Sequence, residues 1–151
     1  MQDFKNLTVW QSARRFTRSL YELTTNFPTS EEFGLKMQMR RASISICANI
    51  AEGCGRRGDR EFRRFLDVAM GSACELECEL ILSYDLAFIV EAAMEEALAS
   101  LIEIKRMLSG LISSLFVIRH SASKNPPAQQ DGQRRQHPVA RGPGGGSRTD
   151  S

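Results

Sequence analysis

Histidine is nearly missing from this 151-residue sequence: only His120 and His137 occur, both at or beyond the end of its patterned region. A histidine-dependent catalytic triad or a histidine-rich metal site is therefore not expected. Proline is equally scarce in the first 120 residues, where Pro28 stands alone. No apolar run reaches the roughly 18 residues that a membrane span needs, so no membrane partner is expected. The opening residues Met1-Gln2-Asp3-Phe4-Lys5-Asn6 lack the basic-then-apolar pattern of an export leader, which points to the cytoplasm. The four cysteines (Cys47, Cys54, Cys74, Cys78) form no Cys-x-x-Cys pair and read as reduced thiols in core or boundary positions. Strand-like alternation of apolar and polar residues is not sustained anywhere.

What is present divides near residue 120. Residues 1–120 hold 15 of the 20 basic and 16 of the 18 acidic side chains, so the body is close to neutral. Residues 121–151 hold four of the five prolines, Gly144-Gly145-Gly146, five basic residues and no aromatic. Such a stretch cannot bury enough surface to offset its ordering entropy and reads as a disordered Pro/Gly/Arg tail. The body contains four segments of helical period. The first carries Val9, Ala13, Phe16, Leu20, Leu23 and Phe27, and Pro28 is expected to stop it. Thr29-Ser30-Glu31-Glu32 fits a capping box for the second, which carries Leu35, Met39, Ala42, Ile46, Asn49 and Gly53, with Gly53 as a left-handed stop. Asp59 is expected to cap the third, which carries Phe62, Leu66, Ala69, Ala73, Leu76, Leu80, Ser83 and Ala87. The fourth carries Met94, Leu98, Leu101, Lys105, Leu108, Ile112 and Leu115, and neither cap nor breaker separates it from the third. Four helices with short connections predict an all-α, antiparallel up-down-up-down bundle over residues 1–120.

Two segments are too apolar for a lone bundle. Residues 42–51 are apolar or small nearly all round, and the third segment places Val68, Met70, Ile81 and Leu82 off its main stripe. Such faces need a further partner, and the expected partner is a second copy of the chain. Gly71 and Ser72 are small enough for close helix approach. Arg41 and Glu52 lie three turns apart on one stripe and are expected to pair across helices rather than with each other. Asn49 falls in the apolar register, where a buried amide needs partners and can fix the packing. With no nucleophile or cofactor site beside Asn49 and Glu52, the reading is structural, without catalytic residue, metal or cofactor.

Several blocks together carry a family resemblance: Leu7-Thr8-Val9-Trp10, Phe27-Pro28 with Glu32-Phe33-Gly34-Leu35, Gln38-Met39-Arg40-Arg41-Ala42, Asn49-Ile50-Ala51-Glu52-Gly53-Cys54-Gly55-Arg56, Gly71-Ser72-Ala73-Cys74-Glu75 and Met107-Leu108. In their order and spacing, residues 3–115 resemble the four-helix bundle proteins encoded by intervening sequences in bacterial large-subunit ribosomal RNA genes. They are also similar to the accessory variability determinant of diversity-generating retroelements. The resemblance implies a homopentameric ring, RNA or DNA binding and, in the retroelement branch, a reverse transcriptase partner. It departs at Ala87-Phe88-Ile89, where the family often has Gly-Tyr-Ile, and the tail lies outside it.

The nucleic-acid reading has its own residues. Arg56, Arg57, Arg60, Arg63 and Arg64 crowd one loop and the helix start that follows. Arg14, Arg15 and Arg18 form a second cluster, and Arg40 and Arg41 a third. A guanidinium suits phosphate because its planar fork donates two parallel hydrogen bonds. A ring would repeat each patch in every subunit, so weak contacts would add through avidity. Two functions stay open on the sequence: a non-enzymatic oligomeric scaffold that binds nucleic-acid backbone, and a purely protein-binding oligomer whose arginines serve solubility and subunit ion pairs.

Overall fold

A computed structural model describes the backbone of residues 2–122 and the side chains of residues 2–115. The expected tail lies outside the described residues except for 121–122, which continue the last helix. Helix α1 spans Thr8–Leu23, α2 Leu35–Cys54, α3 Asp59–Asp85 and α4 Glu91–Ala122, with no strand among the described residues. Each helix touches its neighbours in chain order, and α1 also closes against α4. Inter-helix rungs show antiparallel packing. The Thr17 hydroxyl reaches Ser43 O at 3.3 Å, while Arg40 Nε donates to Thr24 Oγ1 at 2.9 Å, joining α1 to α2. Ser45 and Ser72 share a 2.8 Å hydrogen bond between α2 and α3. The four-helix bundle is thus observed.

The helical stripes become the core. Val9, Ala13, Phe16 and Leu20 of α1 pack with Met39, Ala42, Ile46 and Ile50 of α2 and with Leu66, Ala69, Ala73, Leu76 and Leu80 of α3. Leu101, Leu108 and Leu115 complete it from α4, together with Ile104, which the expected stripe omitted. Lys105 sits in that stripe half-buried: its stem covers apolar surface while Nζ donates to Glu77 Oε2 of α3 at 2.5 Å.

The helix ends depart from expectation, and each departure has a local cause. Helix α1 stops at Leu23, before Pro28. Buried Thr24 follows it, with both its N–H and its hydroxyl on Leu20 O at 2.9 Å. Thr29–Glu31 form one turn of 3-10 helix instead of a capping box, and α2 starts later, at Leu35. There the Glu31 carboxylate, not Thr29, accepts from the free Leu35 N–H at 2.9 Å. Asp59 is the first residue of α3 rather than its cap, and the residue before it is Gly58. Gly53 does not terminate α2; the helix runs through it to Cys54. Its function is close approach: a Cβ there would meet Phe62 Cδ2 at 2.8 Å and Phe65 Cβ at 3.0 Å. Among the described residues the glycine with positive φ is Gly58, at 88°.

The unmarked junction between the third and fourth segments is a Schellman turn. Phe88 N–H donates to Ser83 O and Ala87 N–H to Tyr84 O, both at 2.8 Å. Ala87 holds the left-handed position at φ 58°, where glycine is the usual occupant. That is why no glycine announced the stop, and why Ala87 ends up exposed instead of continuing the α3 stripe.

Candidate nucleic-acid interface

The α2–α3 corner gathers five of the arginines singled out in the sequence. Helix α2 ends at Cys54, the chain turns through Gly55–Gly58, and α3 begins at Asp59. Arg56 pairs with Glu52 one turn back, Arg63 with Asp67 at 3.8 Å and Arg64 with Glu61 at 3.7 Å. Arg56 and Arg64 also lie over the Phe65 ring, at 5.1 and 5.2 Å from its centroid. Phe62 and Phe65 interleave with the arginines in sequence, but both are buried in the bundle and offer no open ring for a nucleobase. Arg57 and Arg60 are exposed and have no ion pair or ring contact among the described residues. Arg57 precedes the 27-residue helix α3 and Arg60 lies in its first turn, which no N-cap side chain bonds. The same first turn carries the acidic Asp59 and Glu61, so any anion at this corner would be held by the two guanidiniums and not by the helix start.

The other arginines occupy separate places. On α1, Arg14 lies 5.8 Å from the Trp10 ring centroid, Arg15 donates to Ser12 Oγ at 3.0 Å, and Arg18 pairs with Glu22 at 3.4 Å. Arg40 is a structural tie: it donates to Tyr21 O of α1 and to Oγ1 of Thr24, the residue that follows α1, and stacks 4.3 Å from the Tyr21 ring centroid. Arg41 is exposed and has no partner among the described residues. Glu52 was expected to pair across helices; among the described residues it pairs instead with Arg56, two residues past the end of α2.

The structural polar set forms a line along the α2–α3 seam. Asn49 Nδ2 donates to Ser45 O at 2.8 Å and Ser45 Oγ at 3.1 Å, and Ser45 meets Ser72 across the seam. Asn49 is half-buried, so this relay satisfies the amide that the apolar register requires. Gly71 faces open space: a Cβ there would meet nothing within 4 Å. Glu79 was not foreseen. It is buried, 8 % exposed, and its Oε2 has no hydrogen-bond partner. Burial pushes its carboxyl up to about 7, and the neighbouring Glu75 carboxylate adds to the rise. The signal in the sequence was the seven-residue spacing Phe65, Ser72, Glu79, which sets an acid on the buried seam side of α3. All four cysteines are free thiols; burial raises Cys47 and Cys54, while Cys74 and Cys78 are exposed.

Residues 5–110 match the model of the 23S rRNA-intervening sequence protein family. The chain belongs to that family. Among solved structures, a protein of unknown function from the S23 ribosomal protein family of Bacteroides thetaiotaomicron shares 25 % identity with a TM-score of 0.65. The match covers 70 % of this chain and 95 % of that one. No curated protein matches the sequence. The family match covers all five corner arginines and the polar seam, and stops short of the last turns of α4. No helix among the described residues is long and apolar enough to cross a membrane.

Proposed function

We propose that this member of the intervening-sequence family is a non-enzymatic, cytoplasmic homo-oligomeric scaffold that grips RNA or DNA by its phosphate backbone. The observation that carries the reading is the α2–α3 corner: Arg57 and Arg60, exposed and without a partner among the described residues, two guanidiniums open to phosphate. The ion pairs of Arg56, Arg63 and Arg64 are exposed and weak, about 1 kcal/mol or less each, so phosphate can compete for those guanidiniums. Oligomerisation is supported by Ile44, Val68, Ile81 and Leu82, which remain 44–49 % exposed on the α2 and α3 faces. A homopentameric ring would repeat the corner in each subunit and raise avidity. With both aromatics of the corner buried, contact would be with backbone and not with base identity. In a retroelement setting the scaffold would serve a reverse transcriptase.

Fluorescence anisotropy against an arbitrary labelled duplex tests the reading. Affinity is expected to fall with salt at a slope of roughly −0.9 per phosphate contact on B-DNA. Replacing Arg57 and Arg60 together by Gln should weaken binding to all sequences alike and flatten the slope by about two such contacts. Wild type that fails to bind at low salt refutes the proposal.

A second reading, a protein-binding oligomer, has its own observation. At the bundle end opposite the arginine corner, Phe33 is 85 % exposed and Val90 70 %, with Leu86 nearby in the same turn region. If the duplex never binds, this apolar end becomes the better candidate surface.

A further inference from the structure

Helix α1 begins beside the end of α2, because the two run antiparallel. The short 3-10 turn Phe4–Asn6 just before α1 packs on both helices. Burial raises the thiol of Cys54, the last residue of α2, and the Asp3 carboxylate beside it adds to the rise. The start of α1 and the arginine corner therefore share one end of the bundle. Two contacts hold the turn in place. Gln11 Nε2 donates to Lys5 O at 2.8 Å, and the Phe4 ring meets Trp10 edge-on, with centroids 4.9 Å apart. They leave a surface cavity of about 370 Å³ lined by Lys5, Trp10, Gln11, Arg14 and Arg15. That is at the small end of the roughly 300–1,000 Å³ of ligand sites.

The cavity combines three cations with one aromatic ring. Lys5, Arg14 and Arg15 are exposed, and neither arginine has an ion pair among the described residues. Lys5 lies 3.8 Å from Asp3, but both are exposed, and such a pair is too weak to keep Lys5 from a phosphate. Cations around one concavity repel each other and focus their field on an anion that enters. Trp10 is half-buried and lines the cavity, and Arg14 lies over its ring, 5.8 Å from the centroid. A flat ring between an indole and a guanidinium needs about 3.5 Å on each side, roughly 7 Å in all. The exposed Arg14 side chain has to move out by only about 1 Å to admit a nucleobase. Phe62 and Phe65 of the corner offer no such seat, because both are buried.

We propose that this cavity binds one unpaired nucleotide of an RNA or DNA strand, its base stacked on Trp10 beneath Arg14 and its phosphate held by Lys5 and Arg15. The inference rests on the nucleic-acid reading above and deepens it by naming the form of the ligand. A nucleotide inside a duplex cannot enter, because its neighbours cover both faces of its base. Every base has a face to stack, so the site selects an unpaired strand and not a sequence. The arginine corner at the same end of the bundle holds backbone phosphates, and Trp10 takes a base that the corner has no ring to receive.

Trp10 is the single tryptophan of the sequence, so its emission reports on this cavity alone. The full chain is titrated at low salt with single strands of about ten nucleotides, one oligouridylate and one oligothymidylate. Parallel titrations use an abasic strand with the same phosphates and a blunt duplex of the same length. The expected result is quenching of Trp10 by either single strand, and little by the abasic strand or the duplex. Strand affinity, read by anisotropy of a labelled strand, should fall roughly 5- to 150-fold in Trp10→Leu with unchanged helicity. If that variant loses helicity, a chain with Lys5→Gln and Arg15→Gln keeps the indole and decides: it should need more strand for the same quenching. The site is overturned by no quenching with either strand, by equal quenching with the abasic strand, or by quenching that Lys5→Gln with Arg15→Gln leaves unchanged. Duplex binding that still depends on Arg57 and Arg60 then leaves the backbone reading standing. A chain that binds neither strand nor duplex at low salt overturns both.

Discussion

Gly53→Ala separates packing from helix propensity by the sign of its effect. Alanine in a helix interior is favoured over glycine by about 1 kcal/mol. At Gly110, exposed on α4 with nothing near its missing Cβ, that gain should appear undiminished. At Gly53 the new methyl would lie 2.8 Å from Phe62 Cδ2 and 3.0 Å from Phe65 Cβ. The second atom is anchored at the α3 backbone and cannot swing aside, so α2 and α3 must separate. Overpacking of this kind costs typically 1–3 kcal/mol, which exceeds the propensity gain. Gly53→Ala should therefore lose about 1 kcal/mol while Gly110→Ala gains about 1, a gap near 2 kcal/mol. For a domain of this size each kcal/mol moves the midpoint by roughly 3–5 °C. Thermal unfolding followed by circular dichroism, at one protein concentration for all chains, reads both shifts. A Gly53→Ala chain as stabilised as Gly110→Ala would refute the close approach of α2 to Phe62 and Phe65.

Ala87→Gly should raise the midpoint: glycine removes a left-handed penalty of about 1–2 kcal/mol and gives back part of it as unfolded-state entropy, for a net gain of about 0.5–1 kcal/mol. A lower midpoint would mean that Ala87 is not strained. Ile50 is fully buried within the protomer, so Ile50→Asp should unfold the chain, whereas Ile44→Glu on the exposed α2 face should dissociate copies with helicity intact; light scattering and circular dichroism together distinguish the two. In that Ile44→Glu monomer, the raised Glu79 carboxyl makes stability greatest below about pH 4.5 as far as this group is concerned, and loses it as pH rises through about 7. Denaturant melts at pH 5.5 and pH 8 should show the loss, and Glu79→Gln should abolish it; a Gln variant with the parent's pH dependence would mean that another group titrates.

The sequence by itself determined the four helices, because amphipathic period and core burial are the same fact seen twice. Val9, Ala13, Phe16 and Leu20 are spaced for one helix face and are buried on it. It also located the arginine corner, since Gly55 and Gly58 bracket Arg56 and Arg57 in a turn between two apolar stripes. The helix ends were not determined, because caps are chosen by competition among nearby donors and acceptors. Glu31 outcompetes Thr29 for the α2 start, and Ala87 takes a left-handed seat normally left to glycine. Partner choice among charges was likewise tertiary. Glu52 is drawn to Arg56 just past the end of its own helix, Glu77 to Lys105 across the bundle, and Arg40 to Tyr21 and Thr24 at the end of α1. Only after those pairs are assigned do Arg57 and Arg60 stand out at the corner, and Arg41 and Glu79 along the seam. Burial decides the last case: a glutamate is a solvated charge on an exposed face and a destabilised one on a seam, and a helical repeat alone does not say which helix will cover it.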